Sequence, residues 1–199
     1  MKHRPPIVAL ILVSVLLALA GCGLFRPRDP LPGGGPSVSC LVPDTPDAVV
    51  TNILQHYGAL SGVTCYTQML DAGFAFHPDA ADSIAALPDT VYSNWGRDVE
   101  SRDASNVASN ATFSLAVFDS QYASPVISPD QRTQTRFYAY RLILHASQVA
   151  PDTLFQGLAD ITFFQGGDAQ WHVTTWIDKR DTSGARTWGY VRRIFRVGF

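Results

Sequence analysis

From residue 111 onward the chain passes from helical spacing to alternation, and that change of period constrains the fold more than any other feature. Runs at 111–119, 133–147, 153–165 and 169–180 are rich in β-branched and aromatic residues and read as strands. Gly166-Gly167-Asp168 between the last two is a hairpin turn signal. Upstream, Val49, Val50, Ile53, Leu54, Tyr57 and Leu60 recur at helical intervals over 47–60, with Thr45 or Asp47 placed to cap the helix. A second helix follows Gly62, with Thr64 as its cap and Tyr66, Met69 and Leu70 on one side, and stops at Gly73. Residues 73–78 are extended and closed by Pro78, residues 79–86 add a helical turn or two, and Asn94 caps a helix carrying Trp95 and Val99. Trp188 to Phe195 reads as a final strand or turn. Helices first and an antiparallel meander second define an α+β plan, not a doubly wound one.

Side-chain parity sorts the titratable strand residues. On the 153–165 strand, Phe155, Gly157, Ala159, Ile161 and Phe163 form the apolar set, which leaves Asp160 on the wetter face with Gln156 and Thr162. On the next strand His172, Thr174 and Asp178 stand opposite Trp171, Val173, Thr175 and Ile177. Trp176 shares the parity of the polar set, so a bulge or a second buried face would reverse that assignment. Tyr138, Tyr140, Leu142 and Leu144 are the apolar set of the long strand, with His145 on the other side. His145, Asp160, His172 and Asp178 are therefore the catalytic candidates, with Tyr138 and Tyr140 as hydrogen-bond donors, but they do not form a convergent set. Trp95, Arg97, Asp98 and Glu100 either edge a pocket or, on the plainer reading, present a solvated helix face with local ion pairs.

The N-terminus carries a different kind of signal. Lys2, His3 and Arg4 precede an apolar run from Ile7 to Ala20, about 14 residues and short of the roughly 20 that a spanning helix needs. Leu19-Ala20-Gly21-Cys22 resembles the lipobox of bacterial prolipoproteins. That resemblance implies cleavage between Gly21 and Cys22, lipid on Cys22, and anchoring that is effectively permanent with several acyl chains. Gly23 stands where the family's inner-membrane retention signal has Asp, so the resemblance implies the cell envelope, with the outer membrane favoured. Residues 22–46 concentrate Pro and Gly and read as an extended tether, leaving 47–199 as one domain.

With Cys22 assigned to lipid, Cys40 and Cys65 remain as an even pair in a compartment where disulfides persist. A bridge between them is the first reading; two unpaired thiols or a redox site are the others, and no CxxC supports the last. The spacing of the cysteines and histidines does not match a zinc site, and neither a G-x-S-x-G elbow nor a phosphate loop is present. No cofactor is expected. The formal charge of −2 becomes about −4 once Lys2 and Arg4 are removed, without a basic block to track phosphates, so nucleic acid is not an expected partner.

Three phrases carry a second resemblance: Tyr66-x-x-Met69-Leu70-Asp71-x-x-Phe74-x-Phe76, Gly157-x-Ala159-x-Ile161-x-Phe163, and Trp171-His172-Val173-x-x-Trp176-x-Asp178. Together with the order of elements they resemble the nuclear transport factor 2-like superfamily, which includes SnoaL and ketosteroid isomerase. The resemblance implies N-terminal helices packed in the concave face of a curved antiparallel sheet, a cystatin-like cone. It also implies an apolar pocket, for which Tyr57, Trp95, Tyr138, Tyr140, Phe163, Trp171 and Trp176 are the lining candidates, and pairing of two copies through the sheet. The isomerase pattern of one tyrosine and two acids is not reproduced. The expected function is thus a membrane-tethered, non-enzymatic binding or accessory module for an apolar small molecule, the alternative being an isomerase-like enzyme using His or Asp in the cone.

Overall fold

A computed structural model of the chain describes residues 39–86, 91–147, 149 and 153–197. The expected signal segment, Gly21, Cys22 and most of the expected tether lie outside the described residues.

Helix α1 (Pro46–Ala59) begins where Thr45, in extended conformation, accepts a hydrogen bond from the Ala48 N–H at 3.2 Å, and Pro46 occupies a first-turn position that needs no donor. Its buried residues Val49, Asn52, Ile53, His56 and Tyr57 recur at intervals of three and four, the spacing of a single helical face. Leu60 (φ 48°) and Gly62 (φ 71°) reverse the chain into α2 (Val63–Gln68). Strand β1 (Leu70–His77) follows, then α3 (Ala80–Ala85), α4 (Arg97–Asn110), β2 (Ala111–Ile127), β3 (Thr133–Ala146), β4 (Thr153–Gln165), β5 (Trp171–Lys179) and α5 (Trp188–Val197).

The five strands form one sheet in the order β1-β5-β4-β3-β2. β2 to β5 pair antiparallel, as the meander pattern implied, and β1 adds a parallel edge against β5. The extended stretch expected at 73–78 is thus the end of a sheet strand. The helix expected after Asn94 starts at Arg97 instead, because Asn94 takes a left-handed turn (φ 54°) and Phe76 N–H donates to Trp95 O, which ties that turn to β1.

The larger departure is at the C-terminus, where the segment read as a strand or turn is α5. Trp188, Val191, Arg192 and Phe195 are all fully buried and sit at three- and four-residue intervals. An arginine within that stripe hides the helical period from a hydrophobicity reading.

Glycine is required at one strand position. A Cβ on Gly157 would lie 2.5 Å from Lys179 O and 2.7 Å from the Tyr140 hydroxyl, so its absence lets β3 and β5 close over β4.

Cys40 and Cys65 are disulfide-bonded. The Asn52 side chain accepts from Leu41 N–H and donates to Leu41 O, both at 2.9 Å, and Trp171 N–H donates to Pro43 O at 2.7 Å. The last residues of the tether are therefore part of the folded unit. In the chain-entropy description a bridge spanning 25 residues contributes about 3 kcal/mol. Reduction with a mild thiol is expected to lower the urea midpoint and to raise the m-value, because the unfolded chain expands once its cross-link is gone; an unaltered midpoint would count against the bridge.

Candidate functional site

The concave side of the sheet is filled from α5. The Trp188 ring lies 4.7 Å from the ring of Tyr57, 5.0 Å from Trp176 and 5.4 Å from Tyr140, centroid to centroid, and all four residues are buried. Tyr57, Trp95, Tyr138, Tyr140, Phe163, Trp171 and Trp176, which the sequence suggested as pocket lining, are all buried here. They pack within the core. The interior expected to hold a ligand holds the chain's own side chains.

At its centre is an ion pair. Arg192 and Glu100 both have no exposed side-chain surface; the Arg192 Nε donates to the two Glu100 oxygens at 3.0 and 2.9 Å and Nη2 to Oε1 at 2.7 Å. Glu100 also accepts from the Tyr66 hydroxyl and from Trp95 Nε1 at 2.5 Å. Burial alone pushes the Glu100 carboxyl up, but the charge of Arg192 and these four donors outweigh it and leave Glu100 below the usual carboxylate range. The guanidinium lies over the faces of Phe76 (4.1 Å) and Trp176 (4.4 Å), which replace part of its lost hydration.

Asp178 supplies a second buried cluster. The Tyr140 hydroxyl donates to its Oδ1 at 2.6 Å and Gly189 N–H donates to Oδ2, while Trp188 N–H donates to the Tyr140 oxygen at 2.7 Å. Two of the N–H groups that a helix start leaves without intrahelical partners are thereby satisfied, so Asp178 and Tyr140 act as the cap of α5. Burial pushes the Asp178 carboxyl up to about 6 against the opposing effects of Tyr140, Arg192 and Gly189. Asp82 secures the same end, accepting from Thr187 Oγ1 at 2.5 Å and from Arg180 at 2.8 Å.

A folded-state value above the unfolded one means that between about pH 4 and 6 the native state holds the Asp178 proton more often than the unfolded chain does. Its contribution therefore makes stability fall as pH rises through that window. Asp178→Asn is expected to flatten the slope of unfolding free energy against pH there, in denaturant titrations at unit pH intervals; an unchanged slope would contradict the buried carboxyl.

The strand candidates do not assemble. The β4–β5 register shifts between Thr162 and Phe163, whose partners are Thr175 and Val173, so Thr174 is the extra residue of a bulge. Beyond it the parity of β5 reverses: Trp176 and Asp178 turn inward and Ile177 outward, the reversal that the position of Trp176 left open. Asp160 is only 8% exposed, against the wetter face expected for it, because Lys179 and the Tyr122 hydroxyl both bond its carboxylate. His172 sits at the rim of an outer cleft of about 630 Å³ beside Cys40 and Leu41, with Nδ1 3.2 Å from Gln68 O. His145 is half-buried near the far end of β3, opposite Phe113.

Sequence reasoning missed Glu100 and Arg192 as interior groups, and His56 altogether. His56 is stacked on Tyr66, its Nδ1 lies 2.7 Å from Ser61 O, and burial above all holds its pKa down. One signal did point to Glu100: it is the only glutamate in a chain with sixteen aspartates, and only the longer side chain spans to Arg192 while accepting from Trp95.

No family model matches the chain, and no curated protein matches it. Solved structures do. A candidate scytalone dehydratase from Novosphingobium aromaticivorans superimposes with a TM-score of 0.50 at 10% identity, covering 72% of this chain and 90% of that one. A candidate aromatic ring hydroxylase from the same organism gives 0.50 at 8% identity (67% and 85%), and the Kfla4162 protein of Kribbella flavida 0.50 at 10% identity (73% and 92%). At such identities the likeness concerns the fold alone, an α+β plan of a curled sheet with a few helices packed against it. This fold carries both enzymes and non-enzymatic members.

Proposed function

We propose that the chain is an envelope lipoprotein, anchored through Cys22, whose cone serves as a non-enzymatic binding or scaffold module. The observation that carries the second half is the occupied interior: Arg192 and Trp188 fill the space between α5 and the sheet, and Asp178 and Tyr140, the pair best suited to acid–base work, cap α5. A general acid must reach a substrate atom, directly or through one water, and these groups reach only the chain itself.

The first half rests on the order of charge, apolar run, small residues and cysteine at 2–22. The bridge to Cys65 leaves 17 residues, 23–39, between the anchoring cysteine and the first bridged one. Cys22→Ser, or treatment with globomycin, is expected to block cleavage, so that the longer precursor accumulates in place of the mature form; unchanged mobility and fractionation would refute the anchor.

The enzyme alternative has one observation in its favour, the Tyr140–Asp178 pair with a carboxyl near 6. It requires α5 to leave the cone. Hydrogen exchange separates the two: protection at Trp188 to Arg192 equal to that of β4 supports the filled module, and exchange near unfolded rates supports the enzyme.

A further inference from the structure

A cleft of about 290 Å³ separates α4 from α5 and is lined by Val99, Arg102, Asp103, Asn106 and Arg196. Asp103 lies one helical turn beyond Glu100, is 2% exposed, and has no hydrogen-bond partner on either carboxyl oxygen among the described residues. A buried carboxylate without donors is costly. The neutral acid avoids that cost: burial first, and then the neighbouring Glu100 carboxylate, push the Asp103 carboxyl well above its usual range. Asp103 lines the cleft, and in this form its carboxyl carries an O–H donor.

Two arginines line the same cleft. Arg102 Nε donates to Asp98 O of its own helix at 3.3 Å; Arg196 Nη1 donates to Val91 O, and its guanidinium sits 5.0 Å from the centre of the Trp95 ring. Each of these anchors uses one N–H of five. Burial, and after it the charge of Arg102, hold the Arg196 guanidinium below its ordinary range against the opposing effect of Asp103. An amine or a metal ion entering here would meet two positive charges. A group with oxygen acceptors and negative charge would relieve their repulsion and accept from all three side chains.

We propose that this cleft binds a compact oxyanion, of carboxylate or phosphate type, with Arg102 and Arg196 supplying charge and Asp103 a hydroxyl donor. The site is separate from the filled cone and does not depend on the anchor. Its competitor is an internal one, in which Asp103 ionises and pairs with a neighbouring arginine, closing the cleft.

Calorimetric titration of the full chain in detergent, with sodium acetate and with sodium phosphate against sodium chloride at equal ionic strength, decides between them. Saturable heat with either oxyanion and none with chloride is the expected result, and the anion that binds identifies the class. Arg102 is exposed, so Arg102→Gln leaves the fold intact; it is expected to weaken binding about tenfold, the loss of one charge-assisted hydrogen bond. Asp103→Asn keeps a neutral donor and is expected to retain affinity within about threefold. Heats indistinguishable from chloride, an unaffected Arg102→Gln variant, or loss of binding in Asp103→Asn would each overturn the proposal.

Discussion

Glu100→Ala is expected to destabilise the fold by about 3–5 kcal/mol, the cost of leaving one half of a buried ion pair without its partner. Arg192 has no exposed side-chain surface, so its charge cannot turn to water when the carboxylate goes. The faces of Phe76 and Trp176 return roughly 2 kcal/mol through cation–π attraction, less than what is lost. The Tyr66 hydroxyl and Trp95 Nε1 lose their acceptor at the same time. The double variant Glu100→Leu with Arg192→Met removes both charges and keeps apolar volume, so it is expected to cost far less than the sum of its halves. Denaturant unfolding of the four members of the cycle gives the coupling, and single variants costing under about 1 kcal/mol would show that the pair does not hold α5 to α4. Asp103 supplies a further check. With Glu100 gone, one of the causes holding its carboxyl neutral disappears, so Asp103 can ionise and partly replace the lost partner; Glu100→Ala combined with Asp103→Asn is therefore expected to be worse than Glu100→Ala alone.

That pair also marks the limit of what the chain discloses before folding. The strands at 111, 133, 153 and 171 are local in origin: alternation, β-branched residues and a Gly-Gly-Asp turn place their starts and ends within two residues of the strands found, except that β2 runs on to Ile127, eight residues past the end expected at 119. The inward set of β4, Phe155 to Phe163, was readable for the same reason. Glu100 was not, because on its own helix it is surrounded by Arg97, Asp98 and Arg102, and its burial is decided by an arginine 92 positions away. α5 failed by a related route: the stripe of Trp188, Val191 and Phe195 is interrupted by Arg192, whose polarity is cancelled only by Glu100. The inward turn of Asp178 depends on one extra residue at Thr174, and a bulge shows in a sequence only as the ambiguity that Trp176 created. Local elements follow local period, while the interior chemistry follows pairs that meet only in the fold.

Trp188→Ala is the change expected to convert the filled cone into a pocket. It removes a fully buried indole, and truncations of that size cost about 3–5 kcal/mol through lost transfer energy and an unrelaxed cavity. The hole would be walled by the rings of Tyr57, Phe118, Tyr140 and Trp176, which sit 4.7 to 6.1 Å from the indole and belong to α1, β2, β3 and β5. Anchored on separate elements, those rings cannot all move inward together. The backbone N–H of residue 188 keeps its bond to the Tyr140 hydroxyl, so α5 stays docked while its first side chain is lost. Apolar cavities of about 150 Å³ remain dry and take up benzene in other proteins. Indole or benzene is accordingly expected to raise the melting temperature of Trp188→Ala in a concentration-dependent manner and to leave the parent chain unaffected. Rescue would show that this cone differs from a ligand-binding one by a single side chain. A destabilised variant that ignores both ligands would instead mean that α5 settles into the space, and the interior would then be a core that tolerates no pocket.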